Sequence, residues 1–259
     1  MLALVDQHGR NTPPLVTASA GNHGQALAYA AGAAGIRLSV YVPETAPRAK
    51  LDAIRRMGAE LIGCADYDDA ESRAKRHGSS GAALFISPYS HPDVIAGAGT
   101  IGLEILEEQP DIDAIVAPVG GGGLVSGIAI ATKSAARRTE VIGVEVEASC
   151  PFRQSIAADR IVPIEVGTTL ADGLSGNLDP DTITFEIVRT MVDRLTVVSE
   201  RQLRDAVAGV FKEERLIAEA AGAAGVAAVI GGALETNGRR TAVILSGANI
   251  DADVLRSLI

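Results

Sequence analysis

The amino-acid sequence predicts an α/β fold built from two open parallel-sheet units, and three observations carry that reading. Short apolar runs alternate with longer helical stretches along most of the chain. The 259 residues are 47% hydrophobic, yet aromatics supply only 3% and tryptophan is absent. An interior of Ala, Val, Ile and Leu is what parallel strands covered by helices on both faces require. Glycines follow several helical stretches and several apolar runs, where chain reversals need them.

The strand-like runs fall at 15–17, 38–42, 60–63, 83–86, 114–118, 141–145, 195–198 and 241–245. Helical stretches lie between most of them, at 24–34, 48–57, 68–77, 94–108, 124–136, 183–192, 200–215 and 222–234. Gly35, Gly58 and Gly78 follow the first three helical stretches and are read as left-handed caps. Pro43 and Pro47 bracket the turn before the second. The stretch 146–182 carries Pro151, Pro163 and Pro180 and reads as irregular. So long a connection is usually functional or a domain border. Pattern alone places one unit at about 14–91 and a second from about 92 onward; strand order is not readable from periodicity.

The net charge of −9 speaks against a nucleic-acid face or an anionic membrane as partner. A small anionic ligand stays open, because it needs only local donors. Cys64 and Cys150 lack paired-ligand spacing, so neither a structural zinc nor a disulfide framework is expected. The N-terminus does not read as a signal peptide, and no run reads as a membrane span. A cytoplasmic location is expected.

Two segments stand out. Residues 118–124 read Pro-Val-Gly-Gly-Gly-Gly-Leu between an apolar run and a helical one. Gly120, Gly121, Gly122 and Gly123 put no Cβ between backbone and ligand, and the helix start adds N–H donors and a positive dipole. The spacing is neither the dinucleotide fingerprint nor a P-loop. The bland reading is a tight turn; an anion site explains four costly glycines better. Residues 18–25 read Ala-Ser-Ala-Gly-Asn-His-Gly-Gln, also between strand and helix. Ser19 is expected to cap the helix, with Asn22 and His23 on its first turn. Taken alone, His23 is as readily a capping or solvated residue as a catalytic one. Ser246, after the last apolar run, is by itself a turn residue.

Together and in this order, these segments and Ser246-Gly247-Ala248-Asn249 closely resemble the threonine/serine dehydratases (ammonia-lyases), fold-type II pyridoxal phosphate (PLP) enzymes related to serine racemase. Smaller echoes are Val42-Pro43, His91-Pro92, Ala171-Asp172-Gly173, and Glu219 ahead of Gly222. The resemblance runs from Met1 to the C-terminus. It implies a tryptophan synthase β-like fold, a small domain at 14–91, a large one from 1–13 and 92–259, and PLP between them. It implies that Asn22 bonds the PLP 3′ oxygen, that Gly120 to Gly123 hold the phosphate, and that Ser246 faces the pyridine nitrogen. Gly173 and Glu219 would line the pocket, and Ser19, Ala20, Gly21, Asn22 and His23 would hold the substrate carboxylate. The implied reaction is β-elimination on L-threonine, L-serine or a similar β-hydroxy amino acid, in a homo-oligomer. The alternatives are a serine or aspartate-type racemase and a catalytically inactive binding protein. A cysteine synthase is disfavoured by His23, since those enzymes typically carry threonine there.

The chain departs from the resemblance in one major respect. The family's Schiff-base lysine sits in a Ser-Phe-Lys stretch ahead of the first strand, and Lys50, Lys75, Lys133 and Lys212 do not match that position. No catalytic residue is therefore assigned, and an N-terminally truncated form is expected. Ala98, Ser90, Ala220 and Ala221 stand where relatives commonly carry other residues, which leaves the preferred side chain of the substrate open. A divalent-cation site of some relatives would involve Glu145, but its neighbourhood, including Ser149 and Pro151, lacks the further acidic ligand, so no metal is expected.

Overall fold

The computed structural model describes residues 1–135 and 138–259. Ala136, expected to end a helix, lies outside the described residues. The chain divides into two units, Met1–Asp93 and Val94–Ile259. All four tyrosines belong to the first.

The first unit runs α1 (Leu2–His8), a 3₁₀ turn (Gly9–Asn11), β1 (Leu15–Ala18), α2 (Asn22–Ala34), β2 (Leu38–Pro43), α3 (Arg48–Arg56), β3 (Glu60–Cys64), α4 (Tyr67–Ser79) and β4 (Leu84–Phe85). The four strands form one parallel sheet in the order β3-β2-β1-β4. Leu15 pairs with Leu38 on one side and Leu84 on the other, which makes β1 the hinge of the order. Residues 1–13 group with this unit, whereas the resemblance assigns them to the large domain. Leu4 is buried, and Val5, Gly9 and Thr12 line a cleft with Ala34 and Ile36 at the end of α2.

The second unit takes in most of α5 (Pro92–Glu108), then β5 (Ala114–Pro118), α6 (Gly123–Ala135), β6 (Glu140–Val146), α7 (Pro151–Ala157), α8 (Thr184–Met191), β7 (Arg194–Val198), α9 (Glu200–Glu214), α10 (Ala220–Ile230), β8 (Thr241–Val243) and α11 (Ala252–Leu258). Its sheet is again parallel, in the order β7-β6-β5-β8. Counted from its own first strand, each unit therefore reads third-second-first-fourth. Every residue of β5 is buried. Ala114 and Val116 join the core under α9 and α10, and Ile115 and Ala117 the core under α6 and α8, as the two-residue period of a strand demands. The aliphatic composition thus serves a sheet packed on both faces.

Each predicted strand and helix is present, with ends moved by a few residues. Gly35 is left-handed after α2, with φ 68°, as expected. Gly78 is not a cap: it lies inside α4, where a Cβ would stand 2.6 Å from Phe85 Cβ, and the chain reverses at Gly81, φ 76°. The stretch read as irregular contains α7 and a 3₁₀ turn at Asp172–Leu174, and α11 was not foreseen.

Helices α5 and α6 approach through glycine. A Cβ on Gly127 would stand 2.2 Å from the Ile95 carbonyl oxygen and 2.6 Å from the Gly99 amide nitrogen. Backbone on both sides leaves nothing soft to yield. Gly127→Ala should cost roughly 2–3 kcal/mol of stability in urea denaturation, although alanine is the better helix former.

Candidate active site

In an open α/β sheet, ligands settle at the carboxyl ends of the strands where strand order reverses. The reversal lies between β1 and β4 in the first unit and between β5 and β8 in the second. The two motif loops leave β1 and β5 at those ends.

In the first unit, Asn22 and His23 open α2 as expected, but Ser19 does not cap it. The N-cap is Gly21, with no side-chain cap bond, and Ser19 Oγ accepts the Gly21 amide at 3.3 Å, one step before the helix. The loop doubles back tightly. A Cβ on Gly24 would stand 2.1 Å from the Ser19 carbonyl oxygen. Ala20 is buried, whereas Asn22 is exposed.

His23 faces inward. The Thr17 hydroxyl donates to the Ile86 carbonyl at 2.7 Å, so its oxygen can only accept from His23 Nε2, 3.1 Å away. Nε2 therefore carries the ring proton and ties β1 to the end of β4. Burial holds this ring at about 4, well below the usual histidine range, with the Ile86 carbonyl pulling it up and His91 pressing it further down. A neutral ring with its donor turned inward braces the loop and offers no positive charge. Thr17 was not singled out in the sequence, where it reads as a β-branched strand residue.

In the second unit, the residues expected to hold the cofactor converge. A Cβ on Gly120 would stand 2.9 Å from the Gly173 carbonyl oxygen, and one on Gly173 would stand 3.2 Å from Ala221 Cβ. A Cβ on Gly222 would stand 2.6 Å from the Gly247 amide nitrogen. The Glu219 amide donates to the Gly247 carbonyl at 2.9 Å, and the Glu219 carboxylate accepts the Asn249 amide at 3.0 Å. Ser246 is exposed beside this junction, after β8. Three segments fifty or more residues from the glycine loop thus meet beside it or beside one another.

Gly122 and Gly123 are buried, and Gly120 and Gly121 are partly exposed. Gly122 has φ 85°, and a Cβ there would stand 2.5 Å from Phe152 Cζ. Thr184 Oγ1 donates to the Gly121 carbonyl at 2.8 Å, which holds the loop from below. Thr184 and Phe152 escaped the sequence reading, since nothing local ties either to residue 121 or 122. A cradle of backbone at the start of the 13-residue α6, with no room for side chains at Gly120 or Gly122, fits the phosphate of PLP.

Glu145, on β6, is fully buried, and each oxygen accepts a backbone amide, Phe152 at 2.9 Å and Arg153 at 3.0 Å. Burial pushes its carboxyl up to about 7 against the pull of those amides and of Arg153. Both oxygens thus serve the start of α7. Among the described residues, no three His, Cys, Asp or Glu side chains are grouped to hold a metal ion.

The His23 ring gives the first unit an acid-sensitive element. Its folded pKa, about 4, lies below the unfolded value of 6.5, so the folded state refuses a proton that the unfolded state takes. The contribution is intact above pH 6.5 and is lost progressively as pH falls toward 4. His23→Gln should abolish this part of the acid slope, on the order of 2 kcal/mol between pH 7.5 and 4.5, in denaturation series followed by circular dichroism.

The profile of the pyridoxal-phosphate-dependent enzymes matches residues 1–247. An L-threonine ammonia-lyase of Thermotoga maritima is 40% identical over 246 residues, 95% of this chain and 61% of that protein. A catabolic L-threonine dehydratase of Escherichia coli K12 is 38% identical over 240 residues, 92% of this chain and 73% of that protein. The structure of maize serine racemase superposes with a TM-score of 0.88 at 32% identity, covering 98% of this chain and 78% of that one. The chain thus spans about three-fifths of the ammonia-lyase, 61%. With the glycine cradle at the reversal of its second sheet and a match across nearly its whole length, this chain belongs to the family of pyridoxal-phosphate-dependent enzymes.

Proposed function

We propose that this chain forms the greater part of a PLP-dependent ammonia-lyase acting on L-threonine, L-serine or a similar small β-hydroxy amino acid, with a 2-oxo acid and ammonia as products. The observation that carries the reading is the convergence of Gly120, Gly173, Glu219 and Gly247 at one end of one sheet. The threonine ammonia-lyase and dehydratase relatives supply the reaction class. Bound PLP supplies the electron sink that lets the substrate's α-proton and then its β-hydroxyl depart. The amides of Gly120, Gly121, Gly122 and Gly123 hold the phosphate. Ser246 sets a neutral hydroxyl at the ring nitrogen, suited to elimination, where the departing β-hydroxyl drains the charge quickly. Asn22 takes the 3′ oxygen. The substrate carboxylate goes to the loop of Ser19, Ala20 and Gly21 and to the first turn at Asn22 and His23, by backbone donors and the Ser19 hydroxyl rather than by the His23 ring.

Racemisation is the second reading, because serine racemase is among the structural relatives. It needs an acid-base group on each face of the α-carbon. Ala20, directly before Gly-Asn-His and buried, has no proton to give. A complete enzyme, with the lysine-bearing segment, should release ammonia from L-threonine and L-serine faster than it interconverts L- and D-serine.

We infer that none of this chain's four lysines serves as the base at the α-carbon. Lys133 is held by Asp193 at 2.5 Å and by the Thr139 carbonyl at 2.8 Å; Lys75 pairs with Glu71 at 3.0 Å; Lys212 is exposed on α9; and Lys50 lies on α3. Lys133 Nζ sits at the amino ends of β6 and β7, opposite the carboxyl ends that carry the motif loops, and misplacement by a few ångströms forfeits most of the advantage of positioning. The 259-residue chain mixed with PLP and borohydride should therefore show no specific lysine labelling and no ammonia release above background. Rapid turnover with label on one of the four would overturn this. Gly121→Val should weaken PLP binding at least about tenfold, while pyridoxal, which lacks the phosphate, binds as before in equilibrium dialysis.

A further inference from the structure

A buried carboxylate is costly unless its oxygens are satisfied. Glu145 is among the largest fully buried side chains of the chain, and both its oxygens go to the start of α7. Helix α7 needs them. The side chain of its N-cap, Cys150, accepts none of its backbone amides, and Pro151 at its first position has no N–H. Phe152 and Arg153 are the next two amides, and Glu145 takes one with each oxygen. A side chain from β6 thus caps a helix that starts six residues further along the chain, with the charge that a helix start favours.

What this fixes is the position of Phe152. Its side chain is completely buried, and its ring stands where a Cβ of Gly122 would be, with Thr184 on the same side at 3.1 Å. The left-handed residue of the glycine loop rests on that ring. The route runs from the Glu145 carboxylate to the Phe152 amide, through the Phe152 ring, to Gly122.

We propose that Glu145 is a positioning residue for the phosphate loop, acting through the start of α7 and the ring of Phe152. This rests on reading Gly120 to Gly123 as the phosphate site. The loop is short and made of glycine, so it has little stiffness of its own. Its amides point usefully at an anion only while the floor beneath Gly122 is fixed.

The test uses the 259-residue chain at pH 8, with PLP and pyridoxal as probes and a chelator present. Glu145→Gln keeps the volume but gives one backbone amide a donor to face in place of an acceptor. It should weaken PLP about tenfold, leave pyridoxal within twofold, and shift the phosphorus resonance of bound PLP at saturation. Phe152→Leu should do the same, and the double variant should be no worse than the weaker single, because both lie on one route. General loosening would lower occupancy of both probes without moving the resonance. Should Glu145→Gln fail to fold by circular dichroism, Phe152→Leu decides alone on the same two readouts. Unchanged PLP affinity and resonance in a folded variant, or additive losses in the double variant, would overturn the proposal. So would PLP binding that the chelator abolishes and Mg²⁺ restores in the unaltered chain but not in Glu145→Gln. Equal affinity of the unaltered chain for PLP and pyridoxal would sink the phosphate-loop reading instead.

Discussion

An amide N–H reaches an anion only where no side chain stands in the way and where the chain leaves a strand with room beside it. A parallel sheet supplies that room at one place, where two neighbouring strands send their connections in opposite directions. Both sheets here have one such reversal, beside β1 and beside β5. The turns into α2 and α6 stand there, each held by a glycine that no other residue could replace without a backbone clash or strain, Gly24 in the first turn of α2 and Gly122 just before α6. The strand order decides where a site is possible, and the missing Cβ atoms decide that backbone can form it.

The second unit carries this economy through its packing. Helix α10 reads Ala-Ala-Gly-Ala-Ala-Gly-Val-Ala-Ala-Val-Ile and lies against β5, so the sheet and the 246–249 segment come close to its backbone. Alanine and glycine bury little area each, and the stabilisation comes from many close contacts rather than from a few large side chains. The corollary is intolerance of growth. At Gly120, Gly127 and Gly222, the nearest atom is itself backbone.

The strands and most helices were legible because their periods differ and because glycine and proline mark the ends. The order of the strands was not, since order belongs to the connections and leaves no period. Helix α7 could have been read from Pro151, a favoured first helical residue, but two further prolines nearby made the stretch look irregular. Gly78 was misread because a glycine near a helix end serves close packing as readily as reversal. Ser19 misses the cap position by two residues, since a serine just before a helix can bond the loop as well as the helix. The gathering of residues 120, 173, 219 and 247 was legible only through the resemblance, since contacts across a hundred residues leave no local trace. Thr17, Phe152 and Thr184 look like ordinary strand, core and helix-start residues, and only their neighbours in space mark them.

The placement of the aromatic residues has a consequence for what can be seen of this protein in solution. Tyrosine is its only fluorophore of any strength, and every tyrosine lies before residue 90. Tyr29 and Tyr67 are exposed, whereas Tyr41 is buried against Arg73 and His77. Ultraviolet emission therefore reports on one unit and is silent about the other. With no tryptophan, the polypeptide is almost dark beyond 300 nm, and any colour that the purified protein shows belongs to what it has bound.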